Sequence, residues 1–242
     1  MSSRRNHTGI SQSAISIFRG CPHAYFLKYK LRCDPMFWTM EHMDSGKYGH
    51  DAIDKYYKLY FDPEEDKDYI LYSTYSTLEK IWDRSLSVDS FKKIYHCLEV
   101  HANWEYSNIT NGLTTKPYSE LKLEHGGFYG IVDYIHPTNM KPIDWKTGKY
   151  ASLRYEYMMQ AYVYKVLLEG EFNISIPHFY FFFLYPDEWR TVKYDTDKMR
   201  KVGEDVEKMK NAILEEKFEQ KPRTPSVCKN CEFKYYCKIL GM

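Results

Sequence analysis

The residues of this chain whose types and spacing could do chemistry begin with Asp133, Asp144 and Lys146. They lie in the stretch 126–164, GGFYGIVDYIHPTNMKPIDWKTGKYASLRYEYMMQAYVY. Phe128, Ile131, Val132 and Ile135 stand in a run dense in strand formers. His136-Pro137-Thr138-Asn139 is turn chemistry. Residues 141–147 read as a second short strand, stopped by Gly148. Side chains alternate along a strand, so Asp144 and Lys146 project to one side and Trp145 to the other. A hairpin pairing brings Asp133 beside Asp144, and two carboxylates and one ammonium then converge at a sheet edge. Carboxylates so close need a cation between them. A hard, oxygen-loving ion such as Mg²⁺ or Mn²⁺ suits that place.

The cysteines form a second constellation. Cys228-x2-Cys231-x5-Cys237 crowds three thiols into the tail, a density that chance packing does not produce. One more ligand completes a four-thiolate site. Cys21, followed by Pro22, is the candidate, and Cys33 is the rival. Zn²⁺ and an iron–sulfur cluster both accept four thiolates, and the spacing does not choose between them. Gln160 and Tyr164 are four apart and share one face of a helix. By themselves they are an ordinary polar-aromatic pair, as a lone His50 is ordinarily a surface or core residue. His96 and Cys97 have no partner spacing and read as structural.

Gly130-Ile131-Val132-Asp133, Asp144-Trp145-Lys146-Thr147-Gly148 and Gln160-x-x-x-Tyr164 together resemble the core of the PD-(D/E)XK nucleases in their RecB-type form. Trp145 stands where relatives often have Tyr. The resemblance implies an α/β fold, the central mixed β-sheet of restriction-endonuclease-like proteins flanked by helices. It implies Asp133 and Asp144 as catalytic metal ligands for Mg²⁺ or Mn²⁺, joined by His50 and the backbone carbonyl of Trp145. Gly46 and Gly49 before His50 fit the Gly-x-x-His setting of that histidine. Lys146 then orients or helps deprotonate the attacking water, Gln160 donates to a phosphate or positions the water, and Tyr164 lines the DNA path. Relatives often carry a glutamate at the place of Glu120, which here either bonds in the cleft or faces solvent.

A Cys-Pro near the start and Cys-x2-Cys-x5-Cys at the end resemble the iron–sulfur branch of these nucleases. That branch includes the AddB nuclease domain and the CRISPR-associated four-cysteine exonucleases. The resemblance implies a structural 4Fe–4S cluster on Cys21, Cys228, Cys231 and Cys237, with Zn²⁺ as the alternative. The implied activity is a metal-dependent deoxyribonuclease, an exonuclease on single-stranded DNA ends with endonuclease activity as a further option. The settings it implies are repair, recombination, replication or CRISPR adaptation, with a helicase, recombinase or integrase as partner. No Walker A sequence is present, so any motor must come from that partner. Two readings from other classes stand beside it. One is a catalytically idle DNA-end-binding subunit, disfavoured because Asp133, Asp144 and Lys146 are all retained. The other is a zinc-stapled structural module.

The elements that must position these residues read as follows. Helices are expected over 11–31 with a break at Cys21-Pro22, and over 46–61, 69–84, 89–106, 153–169 and 196–220. Strands are expected over 117–124, 177–185 and 189–194, beside the two of the core hairpin. Residues 33–44 read as irregular. The expected organisation is a helical region over 1–110, the nuclease core over 111–220 and a cysteine-rich tail over 221–242, packed as one unit. The 242 residues suit that size, and 43% hydrophobic content supplies a core. A net charge of +1 excludes a polycation that coats nucleic acid, so any binding surface must concentrate its cations locally. The start of the chain has no apolar signal region, and no run is long enough to span a bilayer. The expected location is therefore cytoplasmic, where thiols stay reduced.

Overall fold

A computed structural model describes residues 9–35 and 41–239 of the chain. Of the irregular stretch expected over 33–44, residues 36–40 lie outside the described residues, and a helix already begins at Glu41.

The chain opens with the short strand β1 (Ile10–Ser11) and helix α1 (Gln12–Gly20). Ser11 caps α1 by accepting from the Ala14 N–H at 3.2 Å. The break falls at Cys21, and Pro22 opens α2 (Pro22–Tyr25), which runs on as a π turn through Lys30. Three helices follow: α3 (Glu41–Lys55, with a π turn through Tyr60), α4 (Lys67–Ile81) and α5 (Val88–Thr110). Asp66 and Ser87 cap the last two. Then come β2 (Tyr118–His125), β3 (Phe128–Ile135), β4 (Pro142–Lys146), α6 (Tyr155–Phe172), β5 (His178–Phe183), β6 (Glu188–Lys193) and α7 (Asp197–Leu214). Two short helices, α8 (Pro225–Lys229) and α9 (Lys234–Ile239), form the tail.

The six strands make one mixed sheet of order β1-β3-β4-β5-β6, with β2 paired to β3. β1–β3 and β4–β5 are parallel; β2–β3, β3–β4 and β5–β6 are antiparallel. This is the α/β architecture expected from the sequence. One face carries α1, α6 and α7, whose Ile15, Met159, Leu167 and Val206 pack on Phe128, Val132, Phe179 and Phe181. The other carries α3, α4 and α5, whose Ile53, Tyr57, Leu78 and Leu98 pack on Tyr134, Trp145 and Phe182. Trp145 is 1% exposed, which is the inward side that strand alternation assigned to it.

β3 is the strand on which the site depends. β2 runs along one of its edges. The other edge is shared: β1 pairs at Phe128 and Tyr129, and β4 pairs at Tyr134 and Ile135. Among the described residues, the stretch between, 130–133, has no ladder partner on that edge. Facial alternation also breaks here. Leu121 and Leu123 of β2 belong to the core under α6, whereas Ser119 bonds to Asp54 of α3 on the opposite side. Glu120 sits at the break with φ +47, a left-handed conformation that few residues other than glycine adopt.

Candidate active site

The fork between β3 and β4 gathers the charged residues. Asp133, 8% exposed, turns its carboxylate into the gap. Its Oδ2 accepts the Trp145 N–H at 2.8 Å, taking the place of a strand carbonyl just where the two strands diverge. Asp144, 2% exposed, lies beside Lys146, with the ammonium against its Oδ2. Gln160 of α6 completes the group. Its amide NH₂ donates to Asp144 Oδ1, and its carbonyl accepts from Lys146 Nζ at 3.0 Å. Lys146 keeps 18% of its side chain exposed, so it stands at the mouth of the site and Asp144 at the back.

His50 comes from the opposite layer. Its Nδ1 lies 3.3 Å from Asp133 Oδ2 and 4.0 Å from Glu120 Oε1. The glycines before it allow α3 to come this close. A Cβ at Gly46 would stand 2.8 Å from Thr147 Oγ1, and one at Gly49 3.2 Å from Ile94. His50, Glu120 and Asp133 bring three ligand atoms within 4.8 Å of one another, a set able to hold a metal ion. Sequence reasoning left Glu120 open between cleft and solvent; the structure turns it into the cleft. The signal was an acidic residue on the neighbouring strand directly across from Asp133.

Proton affinities reflect the crowding. Burial pushes the Asp144 carboxyl up to about 6, with Lys146 opposing and Asp133 adding to the rise. Burial and the Asp133 charge lift Glu120 to about 7. Burial disfavours the His50 cation, but Asp133, Asp144 and Glu120 outweigh it and raise the imidazole to about 9. Lys146 follows the same pattern: burial opposes its charge and Asp144 more than restores it. His50 and Lys146 are the cationic side chains that face these carboxylates.

Tyr164 is 6% exposed and is held within the site. Its hydroxyl donates to the Ile131 carbonyl at 2.6 Å and accepts from Gln160 Nε2 at 3.2 Å. Ile131 lies in the unladdered stretch of β3, so Tyr164 supplies the bond that a neighbouring strand would have given. Gln160 likewise spends its amide on Asp144 and Lys146 and braces them.

Cys21, Cys228, Cys231 and Cys237 line one cavity of about 240 Å³. All are free thiols. Burial pushes the Cys231 and Cys237 thiols up, and the nearby sulfurs of Cys21 and Cys228 add to it. Phe233 anchors the tail there, 1% exposed against Ala24 and Leu27, and its N–H points at Cys231 Sγ at 3.4 Å. Cys33 packs nearby without lining the cavity. Cys97 is buried in the α3–α5 core.

The chain belongs to the PD-(D/E)XK nuclease superfamily: the model of that family matches residues 9–238. A metal-dependent nuclease acting on nucleic acid is the activity this membership indicates. A solved structure described as "Crystal structure of SSO0001" is similar to 98% of this chain and 89% of that one, at 14% identity and a TM-score of 0.45. No curated protein matches the chain. Among the described residues, no helix is long and apolar enough to cross a membrane.

Proposed function

We propose that this protein is a Mg²⁺- or Mn²⁺-dependent deoxyribonuclease that acts on single-stranded DNA ends, chiefly as an exonuclease. The observation that carries the reading is the meeting of Asp133, Asp144, Lys146 and Gln160 at the fork of β3 and β4. The donor set suits a hard divalent ion: carboxylates of Asp133 and Asp144, the His50 imidazole and the Trp145 carbonyl, with Glu120 within reach. When bound, such an ion neutralises charge on the scissile phosphate and acidifies water. The protein's own part is to hold and orient. Gln160 fixes Asp144 and Lys146 in register, and Tyr164 fixes Gln160. Lys146 at the mouth orients the attacking water and stabilises the charge that develops on the phosphate. His50 would take part in holding the ion through its neutral imidazole.

For the cavity lined by Cys21, Cys228, Cys231 and Cys237 the reading is a 4Fe–4S cluster, with zinc as the alternative; the support for the cluster is the resemblance of the cysteine spacing to the iron–sulfur branch. The cluster's place is structural, joining the tail to α1 and α2. DNA repair, recombination, replication or CRISPR adaptation is the setting, in the cytoplasm, with a helicase, recombinase or integrase as partner.

The test is digestion of end-labelled single- and double-stranded DNA by anaerobically purified protein in Mg²⁺ or Mn²⁺, beside Asp144→Ala. The expected result is release of nucleotides from single-stranded ends by wild type and none by the variant. Cleavage at wild-type rate by a folded Asp144→Ala would remove the assignment.

A further inference from the structure

The loop that leaves the site carries an aromatic ring with nothing to pack on. Tyr150 is 78% exposed. Among the described residues its ring meets no other aromatic and its hydroxyl has no bond, unlike Tyr57, Tyr155 or Tyr164, whose hydroxyls are all bonded. An exposed tyrosine on a floppy loop would mean little, but this backbone is held. The Ala151 carbonyl accepts from Arg190 Nε at 2.8 Å, the Ser152 N–H donates to the Tyr150 carbonyl, and the Arg154 N–H donates to the Ser152 carbonyl. The ring is thus presented outward by a fixed turn.

The stretch of chain that carries it is cationic. From Lys146 to Arg154 the chain carries Lys146, Lys149 and Arg154 and no acid, and Lys149 and Arg154 are exposed. An exposed cationic rim offers contacts to an anion. Tyr150 is four residues beyond Lys146, at most ~14 Å along the chain, a span of a few nucleotides on the strand being cut.

We infer that Tyr150 is a base-stacking platform for unpaired nucleotides next to the scissile phosphate, with the exposed Lys149 holding the adjoining backbone. A flat ring among cations fits single-stranded nucleic acid, because every unpaired base offers a π-face. In a duplex those faces are closed by neighbouring pairs, and only edges show in the grooves. The inference rests on the nuclease reading and gives its strand preference a residue.

The test reads binding without cleavage. Anisotropy of a labelled single strand and of a blunt duplex is measured with Ca²⁺ in place of Mg²⁺. Tyr150→Ala should weaken single-strand binding by roughly tenfold, the scale of one lost stack, and change duplex binding less than twofold. Tyr150→Phe and Tyr150→Trp should bind as wild type. Lys149→Ala should weaken both substrates and lower the salt slope by about one. Unchanged single-strand binding in Tyr150→Ala, equal losses on both substrates, or a loss in Tyr150→Phe matching that of Ala would each overturn the assignment. Absence of any cleavage by wild type in Mg²⁺ or Mn²⁺ is a separate result that refutes the nuclease reading, with the role of the ring still decided by anisotropy.

Discussion

Glu105 offers the sharpest check on the physics behind the site. It lies on α5, fully buried, one turn beyond His101. His101 is also fully buried, and its ring stands 5.5 Å from that of Trp145 on β4. Asn108 Nδ2 donates to Glu105 Oε2 at 3.3 Å, and Oε1 has no partner. Burial pushes the carboxyl from 4.5 up to about 7, against the bonds from Asn108 and Tyr57 that lower it. The folded state therefore holds this proton more tightly than the unfolded chain. Its contribution to stability is complete below pH 4.5 and is lost as pH rises to about 7. At about 1.4 kcal/mol per pH unit, that loss is about 3 kcal/mol. Glu105→Gln keeps the shape and cannot ionise. In urea unfolding at pH 5, 6, 7 and 8, the stability of the variant relative to wild type should rise by about 2.5 kcal/mol across the series, the rest of the loss falling below pH 5. His101, held neutral by burial at about 3, contributes with the opposite sign at acid pH, but equally in both proteins. Stability curves that run parallel from pH 5 to 8 would show that Glu105 is already ionised in the fold, and the reasoning from its burial would fail.

Three further outcomes follow from the two sites. Lys146→Ala should bind DNA in Ca²⁺ as wild type does but cut it about 10²–10⁴-fold more slowly in Mg²⁺, the range for a positioned group acting in proton transfer; equal loss of binding and cleavage would make it only a phosphate anchor. Cys21→Ala should lose most of about four irons per anaerobically purified chain and unfold at lower temperature. Cys33→Ala and Cys97→Ala should keep iron content and colour, since neither lines the cavity; stoichiometric zinc without iron, or full iron in Cys21→Ala, would overturn the cluster.

Much of this was legible in the sequence because it is local. Strand alternation alone put Asp144 and Lys146 on one side and Trp145 on the other, and each lies there. Pro22 placed the break in the first helix at Cys21 because proline constrains the residue before it. The cysteine spacing pointed to a grouping of Cys21 with Cys228, Cys231 and Cys237, and the four line one cavity. The spacing of Tyr164 from Gln160 showed a shared helix face, but periodicity does not say what that face meets.

What tertiary structure decided is long-range. The bare stretch 130–133 of β3 exists only because β1 and β4 divide one edge between them, and that gap is what Tyr164 fills and Asp133 turns into. The left-handed Glu120 is visible only where alternation along paired strands fails. The approach of α3 through Gly46, the burial of Glu105 behind Trp145 and the exposure of Tyr150 likewise depend on which elements pack together. The sequence by itself determined which groups carry the chemistry and which elements bear them. Their proton affinities, their partners and the face each shows to solvent were decided by contacts between residues far apart in the chain, because burial and electrostatic environment belong to the assembled layers and to no single segment.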